Sequence, residues 1–453
     1  MLTGIPAAPT FGIDQSSSGA GARLGADGQG LNAMIDPSRA PEDERAAQAA
    51  PVRPPARGGL SRRGVLAVAS LALASVAGAA LGLLLPGPRP ALAQASGEPI
   101  LIGVGGPLTG PNAQYGAQWK TGFDLALDEV NGKGGIRGRP LRYVFEDSQS
   151  DPRQSVAIAQ KFVDDSRIVV ELGDFSSPAS MAASPIYQRG GLVQFGFTNS
   201  HPDFTKAGDF MWSSSVSQAD EQPALADYAV KKLGLKRLAI IHLNTDWGRS
   251  SADILAKAAK EDGAEIVARE GFLPDEKDFR STLVRIREAK PDGIALIAYY
   301  ADGALVARQL SAVGIKLPVV AVSSVYSPKF LELGGEAVNG IYTTANFFPD
   351  DPRPEVQNFV KTYRARYGKD PDTFGAVAYD SIILLAQDIR QFGTDRKAIR
   401  DGLAKIEDVP SVIFGKIKFD PTTRRVAGAR HLYLVVKDGK FTTWDGGKPA
   451  PVN

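Results

Sequence analysis

Residues 100–152, ILIGVGGPLTGPNAQYGAQWKTGFDLALDEVNGKGGIRGRPLRYVFEDSQSDP, decide the fold. They open on an apolar strand, Ile100 to Val104, followed by a Gly/Pro/Thr loop and a helix that begins near an exposed aromatic, Tyr115. Trp119, Phe123, Ala126, Leu127 and Val130 recur at i, i+4, i+7, i+8 and i+11, one face of a helix. Asn131-Gly132 and Gly134-Gly135 end it, because the chain reversal there needs positive φ. A second strand, Leu141 to Phe145, follows and ends in Glu146-Asp147. The unit is βαβ. Open α/β sheets bind ligands at the carboxyl ends of their strands, where the polar loop after Val104 sits.

Upstream, residues 61–67 read Ser-Arg-Arg-Gly-Val-Leu-Ala and open an apolar run that lasts to Leu85. Ala91-Leu92-Ala93 then supplies the small-x-small pattern of a cleavage site. Charged start, apolar middle and small-residue end make residues 61–95 a twin-arginine-type signal peptide, cleaved near Ala93 or Ala95. The competing reading is a membrane-spanning helix, against which stand the Ala and Gly richness of the run and the cleavage pattern behind it. Residues 1–60, rich in Ala, Gly, Pro and Ser and without apolar periodicity, read as a disordered extension. Either this is an unusually long leader or translation starts downstream, at a position such as Met34.

Of the 52 basic and 50 acidic residues, 8 and 6 fall within residues 1–95, leaving 44 of each in the mature part. A net charge of zero offers no basic field for nucleic acid. The chain has no cysteine, which excludes disulfides and the lipid-attachment cysteine of a lipoprotein. The expected place of work is the periplasm, as a monomer. About 358 residues after cleavage are too many for one small core and imply two domains.

Strand patterns continue at Ile168 to Leu172, Leu192 to Phe197, Leu238 to His242, Ile266 to Glu270, Gly293 to Ile297 and Val319 to Val322. Helical patterns lie between them at Gln154 to Asp165, Asp220 to Leu233, Ser250 to Asp262, Asp278 to Ala289 and Gly303 to Val313. After Pro349 helices crowd together (Pro354 to Tyr367, Thr373 to Phe392, Arg396 to Ile406), then two short strands follow near Gly415 to Phe419 and His431 to Val436. The alternation predicts parallel sheets covered by helices. Interlobe crossings are expected near Ser215 to Ala219, Thr343 to Phe348 and Pro421 to Val426.

Catalytic chemistry is not in evidence. His201, His242 and His431 are scattered, without metal-ligand spacing. No G-x-S-x-G elbow occurs. Gly103 and Gly105 begin a dinucleotide fingerprint, but Leu108 stands where its third glycine belongs. No cofactor, no metal and no enzymatic activity are expected.

Several motifs together resemble the leucine/isoleucine/valine-binding proteins. They are Gly-Pro-Asn-Ala-Gln-Tyr-Gly (110–116), the turn from Asn131 to Gly138, Asp151-Pro152, Ser176-Ser177, Thr198-Asn199-Ser200, Asp246-Trp247-Gly248, Asp278-Phe279, Tyr299-Tyr300, and Phe374 near Tyr379. The resemblance covers residues 98–445. It implies two Rossmann-like lobes with parallel-sheet cores joined by a three-strand hinge, the type I periplasmic binding fold. The lobes would comprise 98–217 plus 347–424, and 218–346 plus 425–446. The implied function is capture of a branched-chain amino acid or related small carboxylate for the membrane permease of an ABC importer.

The same resemblance implies the site. Ser177, Thr198 and Ser200 would receive the ligand carboxylate, and Tyr115, Trp247, Tyr299 and Phe374 would close over the ligand. The family's ammonium-binding glutamate falls at Ser323. Because a buried ammonium without a countercharge is costly, this leaves open an aromatic or other organic acid, or an amide, as ligand. Asp302 is a candidate substitute carboxylate. A ligand-sensing module for a periplasmic receptor is the alternative use of the same fold.

Overall fold

The computed structural model describes residues 96–452, apart from Ala427 and Ala450. The expected N-terminal extension (1–60), the expected signal peptide (61–95) with its cleavage site near Ala93 or Ala95, and Met34 lie outside the described residues.

The chain first builds β1 (Ile100–Gly106), α1 (Ala113–Gly132), β2 (Leu141–Asp147), α2 (Pro152–Asp164), β3 (Ile168–Gly173), α3 (Ser177–Gly190), β4 (Gln194–Gly196) and β5 (Met211–Ser213). These strands form a parallel sheet in the order β2-β1-β3-β4-β5. In α1 the predicted stripe holds: Trp119, Phe123, Ala126 and Val130 are buried against the sheet, with Leu127 at the margin. Its end is fastened by Asn131, whose side chain donates to the Leu141 carbonyl (3.0 Å) and accepts from the Leu141 N–H (2.8 Å).

A second series follows: α4 (Gln218–Ala226), β6 (Arg237–Leu243), α5 (Asp246–Glu261), β7 (Glu265–Phe272), α6 (Arg280–Glu288), β8 (Gly293–Ile297), α7 (Tyr300–Ala312), β9 (Val319–Ala321), α8 (Pro328–Gly334) and β10 (Ile341–Ala345). The chain then returns to the first sheet with α9 (Pro354–Tyr367), α10 (Thr373–Phe392) and α11 (Arg396–Leu403). After a small hairpin, β11 (Val409–Ser411) and β12 (Gly415–Ile417), it closes the second sheet with β13 (Leu432–Lys437) and β14 (Lys440–Thr443). That sheet runs β14-β13-β10-β9-β8-β6-β7; β7 to β10 are parallel, and the last two strands add antiparallel.

The chain therefore passes between the two sheets three times: after β5, after β10 and after β12. Two of these segments touch, at a parallel bridge between Ser213 and Arg425. The helix expected over Asp220 to Leu233 divides into α4 and a wider π-type turn, Asp227–Lys232. The crossing expected from Thr343 begins later, because Ile341–Ala345 is fully buried as a strand between β9 and β13.

Each sheet reverses its winding at one place, between β1 and β3 in the first and between β6 and β8 in the second. Loops leave the carboxyl ends of such strands on opposite sides and open a crevice. The two crevices face each other. No described helix is long and apolar enough to cross a membrane, and no group of described His, Cys, Asp or Glu side chains could hold a metal ion.

Candidate functional site

A cavity of about 70 Å³ lies between the two sheets, room for about five water molecules and so for part of a small solute. Almost every stretch that lines it follows the carboxyl end of a strand: Phe175 after β3, Phe197, Thr198 and Ser200 after β4, Ser214 to Val216 after β5, Trp247 after β6, Tyr299 after β8, Ser323 and Ser324 after β9, and Asn346 after β10. The start of α10 adds Thr373 and Phe374, and the first turn of α4 adds Glu221.

Of the residues singled out in the sequence, Thr198, Ser200, Trp247, Tyr299, Ser323 and Phe374 line this cavity, and Tyr115 and Ser177 do not. The Ser177 hydroxyl, fully buried, accepts the His201 N–H (3.3 Å) and so braces the loop that carries Thr198 and Ser200. The cap of α3 is the preceding residue, Ser176, whose hydroxyl accepts from Ala179 N–H.

Tyr115 is not exposed; it is wholly buried. Its ring stacks on Phe175 with centres 3.7 Å apart and meets Tyr300 and Phe374 edge-on. Its hydroxyl donates to the Ser324 carbonyl (2.8 Å) and accepts from the Tyr300 N–H (3.2 Å). Closure of one lobe on the other, invisible to a local pattern, removes this ring from water. Burial holds the phenol well above its ordinary pKa, so it stays a donor.

Further bonds cross the same boundary. The Trp247 indole N–H donates to Ser200 Oγ (3.0 Å), and Tyr300 Oη donates to the Pro111 carbonyl (2.5 Å). Trp247 and Tyr299 lie against each other with ring centres 4.8 Å apart, tilted by 31°, and make an aromatic wall. Gln218 joins α4 to both sides: its N–H donates to the Ser200 carbonyl, and its side chain donates to the Trp247 carbonyl (2.9 Å) and Ser251 Oγ (2.7 Å).

Two of the lining residues carry polar groups without a partner among the described residues. The hydroxyls of Thr198 and Thr373, both on lining residues, are buried with no hydrogen-bond partner among the described residues. Such groups cost free energy unless something meets them. Glu221 is the one charged residue of the lining. Asp302 lies outside it, in the first turn of α7, with Lys277 and Asp275 as its nearest charges, and burial raises its carboxyl to about 6. Sequence reasoning missed Glu221, Thr373, Ser214, Ser215 and Asn346. The only signal for Glu221 was its place one turn after the helix-capping Ser217, which many surface acids share.

The sequence profile of the family described as periplasmic binding protein matches residues 99–440. The Leu/Ile/Val-binding protein homolog 1 of Brucella suis is 30% identical over 299 residues, covering 65% of this chain and 79% of the relative. A solved protein of Rhodospirillum rubrum assigned to branched-chain amino acid ABC transport is 36% identical, with a TM-score of 0.58 over 76% of this chain and 100% of that one. The substrate-binding protein LivJ of Streptococcus pneumoniae, solved in complex with isoleucine, superposes with a TM-score of 0.71 at 26% identity, over 76% of this chain and 98% of that one. With two parallel-sheet cores, three crossings and a cavity at facing crevices, the chain belongs to the periplasmic binding protein family, in its leucine/isoleucine/valine-binding branch.

Proposed function

We propose that this protein captures a small carboxylate-bearing solute, a branched-chain amino acid or a near relative, by hinge closure, and delivers it in the periplasm to the membrane permease of an ABC importer. The observation that carries the reading is the cavity itself. It is walled from both sheets, with five aromatic and seven serine or threonine residues in its lining, and two of those threonines carry buried hydroxyls with no partner among the described residues. Pockets of that make-up orient small polar solutes with few directed groups.

On this reading the lobes are 98–217 plus 347–424, and 218–346 plus 425–446. Thr198, Ser200 and Thr373 receive the carboxylate, Ser177 supports them through His201, and Trp247, Tyr299 and Phe374 enclose the apolar part. Tyr115 acts behind this wall. The solute leaves chemically unchanged, since the protein acts by binding alone and as a monomer. A second reading, an aromatic or other organic acid as solute, is favoured by the aromatic side chains of the lining, against one of which a planar ring would stack at a gain of about 0.5–1.5 kcal/mol.

Thermal-shift screening of amino acids against aromatic, dicarboxylic and short-chain acids tests the function, followed by calorimetry on the best solute. A raised melting temperature with an aliphatic amino acid is expected. Thr198→Ala combined with Ser200→Ala should then weaken binding by about tenfold or more; unchanged affinity removes both residues from the site.

A further inference from the structure

We infer that Glu221 is the group that holds the solute's ammonium, so that the site takes zwitterionic amino acids and rejects acids without a positive charge. This rests on the cavity being the solute site, as proposed above.

Glu221 is about 6% exposed and lines the cavity from the first turn of α4. Its Oε1 accepts the Ser323 backbone N–H at 2.9 Å. That contact puts a carboxylate within hydrogen-bond reach of the backbone of Ser323, the residue at which the sequence has only a hydroxymethyl. No cationic side chain among the described residues forms an ion pair with Glu221, and no lysine or arginine lines the cavity. A carboxylate withdrawn from water without a cation is expensive. One anchored oxygen and an open side toward the cavity leave it oriented for a cation that arrives from solution.

The rest of the lining fits that polarity. The unpartnered hydroxyls of Thr198 and Thr373 can donate to a carboxylate. The Trp247 and Tyr299 rings border the same space, and aromatic faces favour ammonium groups. The cavity is thus dipolar, acid at α4 and neutral hydroxyl donors elsewhere. A benzoate-type solute would bring a second negative charge beside Glu221 with no cationic side chain in the lining to neutralise either. The missing acid at Ser323 is therefore compensated from a different element rather than lost, which turns the ligand class back toward amino acids.

The test is calorimetry on the purified, exported protein with leucine, isoleucine and valine, their ammonium-free analogues such as 4-methylpentanoate, and benzoate. Wild type should bind at least one zwitterion, and its ammonium-free analogue roughly 30-fold more weakly or worse. Glu221→Gln should lose most of that discrimination by weakening the zwitterion alone, and Glu221→Asp should fall between. Melting curves without solute establish that each variant is folded. The wild-type panel needs no variant at all. Equal binding of zwitterion and analogue, or discrimination unchanged in Glu221→Gln, overturns the role of Glu221 while solute capture stands. A panel in which nothing binds overturns both.

Discussion

On the proposed function, Tyr115 serves closure from behind the wall of the cavity. Its hydroxyl satisfies a carbonyl and an N–H of the opposite lobe, at Ser324 and Tyr300. In an opened molecule water would replace both. Tyr115→Phe keeps the ring packing and leaves those two backbone groups unpaired only in the closed form. Binding of the best solute should weaken by roughly 5- to 150-fold, with faster release and little change in the melting temperature of solute-free protein. Equal release rates would count against the latch. A second residue works at a distance from the site. Asp388 of α10 is fully buried, neither carboxyl oxygen has a partner among the described residues, and burial raises its carboxyl to about 8. In the unfolded chain it would titrate near 4. The folded state therefore holds the extra proton between those values. The associated stability is full at low pH and drains away as pH rises toward 8, by up to about 1.4 kcal/mol per pH unit. Asp388→Asn cannot ionise and should flatten the fall in melting temperature between pH 5 and pH 8; an unchanged slope assigns that fall to other groups.

At the scale of elements, two of the helices that carry the key aromatics start in the same way. In α1, Tyr115 is followed by Gly116; in α5, Trp247 is followed by Gly248. A Cβ on Gly116 would lie 1.9 Å from the Pro107 carbonyl oxygen, and one on Gly248 would lie 1.9 Å from that of Leu243. Each helix thus presses its first turn onto the carboxyl end of its own strand, at Leu243 itself in β6 and at Pro107 just after β1, which sets the neighbouring aromatic at the boundary between lobes. Gly248→Ala must push α5 outward and carry Trp247 away from Ser200. We expect a stability loss of about 1–3 kcal/mol together with at least tenfold weaker solute binding, read by chemical denaturation and calorimetry. Elements of this length were largely legible. Pro354–Tyr367 and Thr373–Phe392 match the expected bounds, because the apolar period and a stop at glycine are local signals. Three-residue strands such as Met211–Ser213 were not, since so few residues carry no period and are held only by the sheet beside them.

For the whole molecule, the cross-lobe bonds of Tyr115, Trp247 and Tyr300 describe a closed arrangement. They are few, and the hinge has only three segments. Opening should therefore cost little, and solute should shift the balance by its extra affinity for the closed form. Small-angle scattering should give a smaller radius of gyration when saturating solute is added; superimposable curves with and without bound solute would refute hinge closure. This is also the scale at which sequence and structure part company. From the sequence alone came the α/β class, the order of most strands and helices, the family, and the aromatic and hydroxyl residues after the strands. The class and the element order follow from patterns within some 20 residues; the family and its implied site residues came from the resemblance carried by motifs spread over residues 98–445, at the strand ends where open sheets bind. The fold decided the rest. Glu221 meets Ser323 across 102 positions and Tyr115 meets Ser324 across 209, contacts that no spacing encodes. Whether a tyrosine is wall or latch depends on which surfaces the hinge brings together, and whether a site without its expected acid is uncharged or supplied from another helix depends on how α4 packs on the loop after β9 within one lobe.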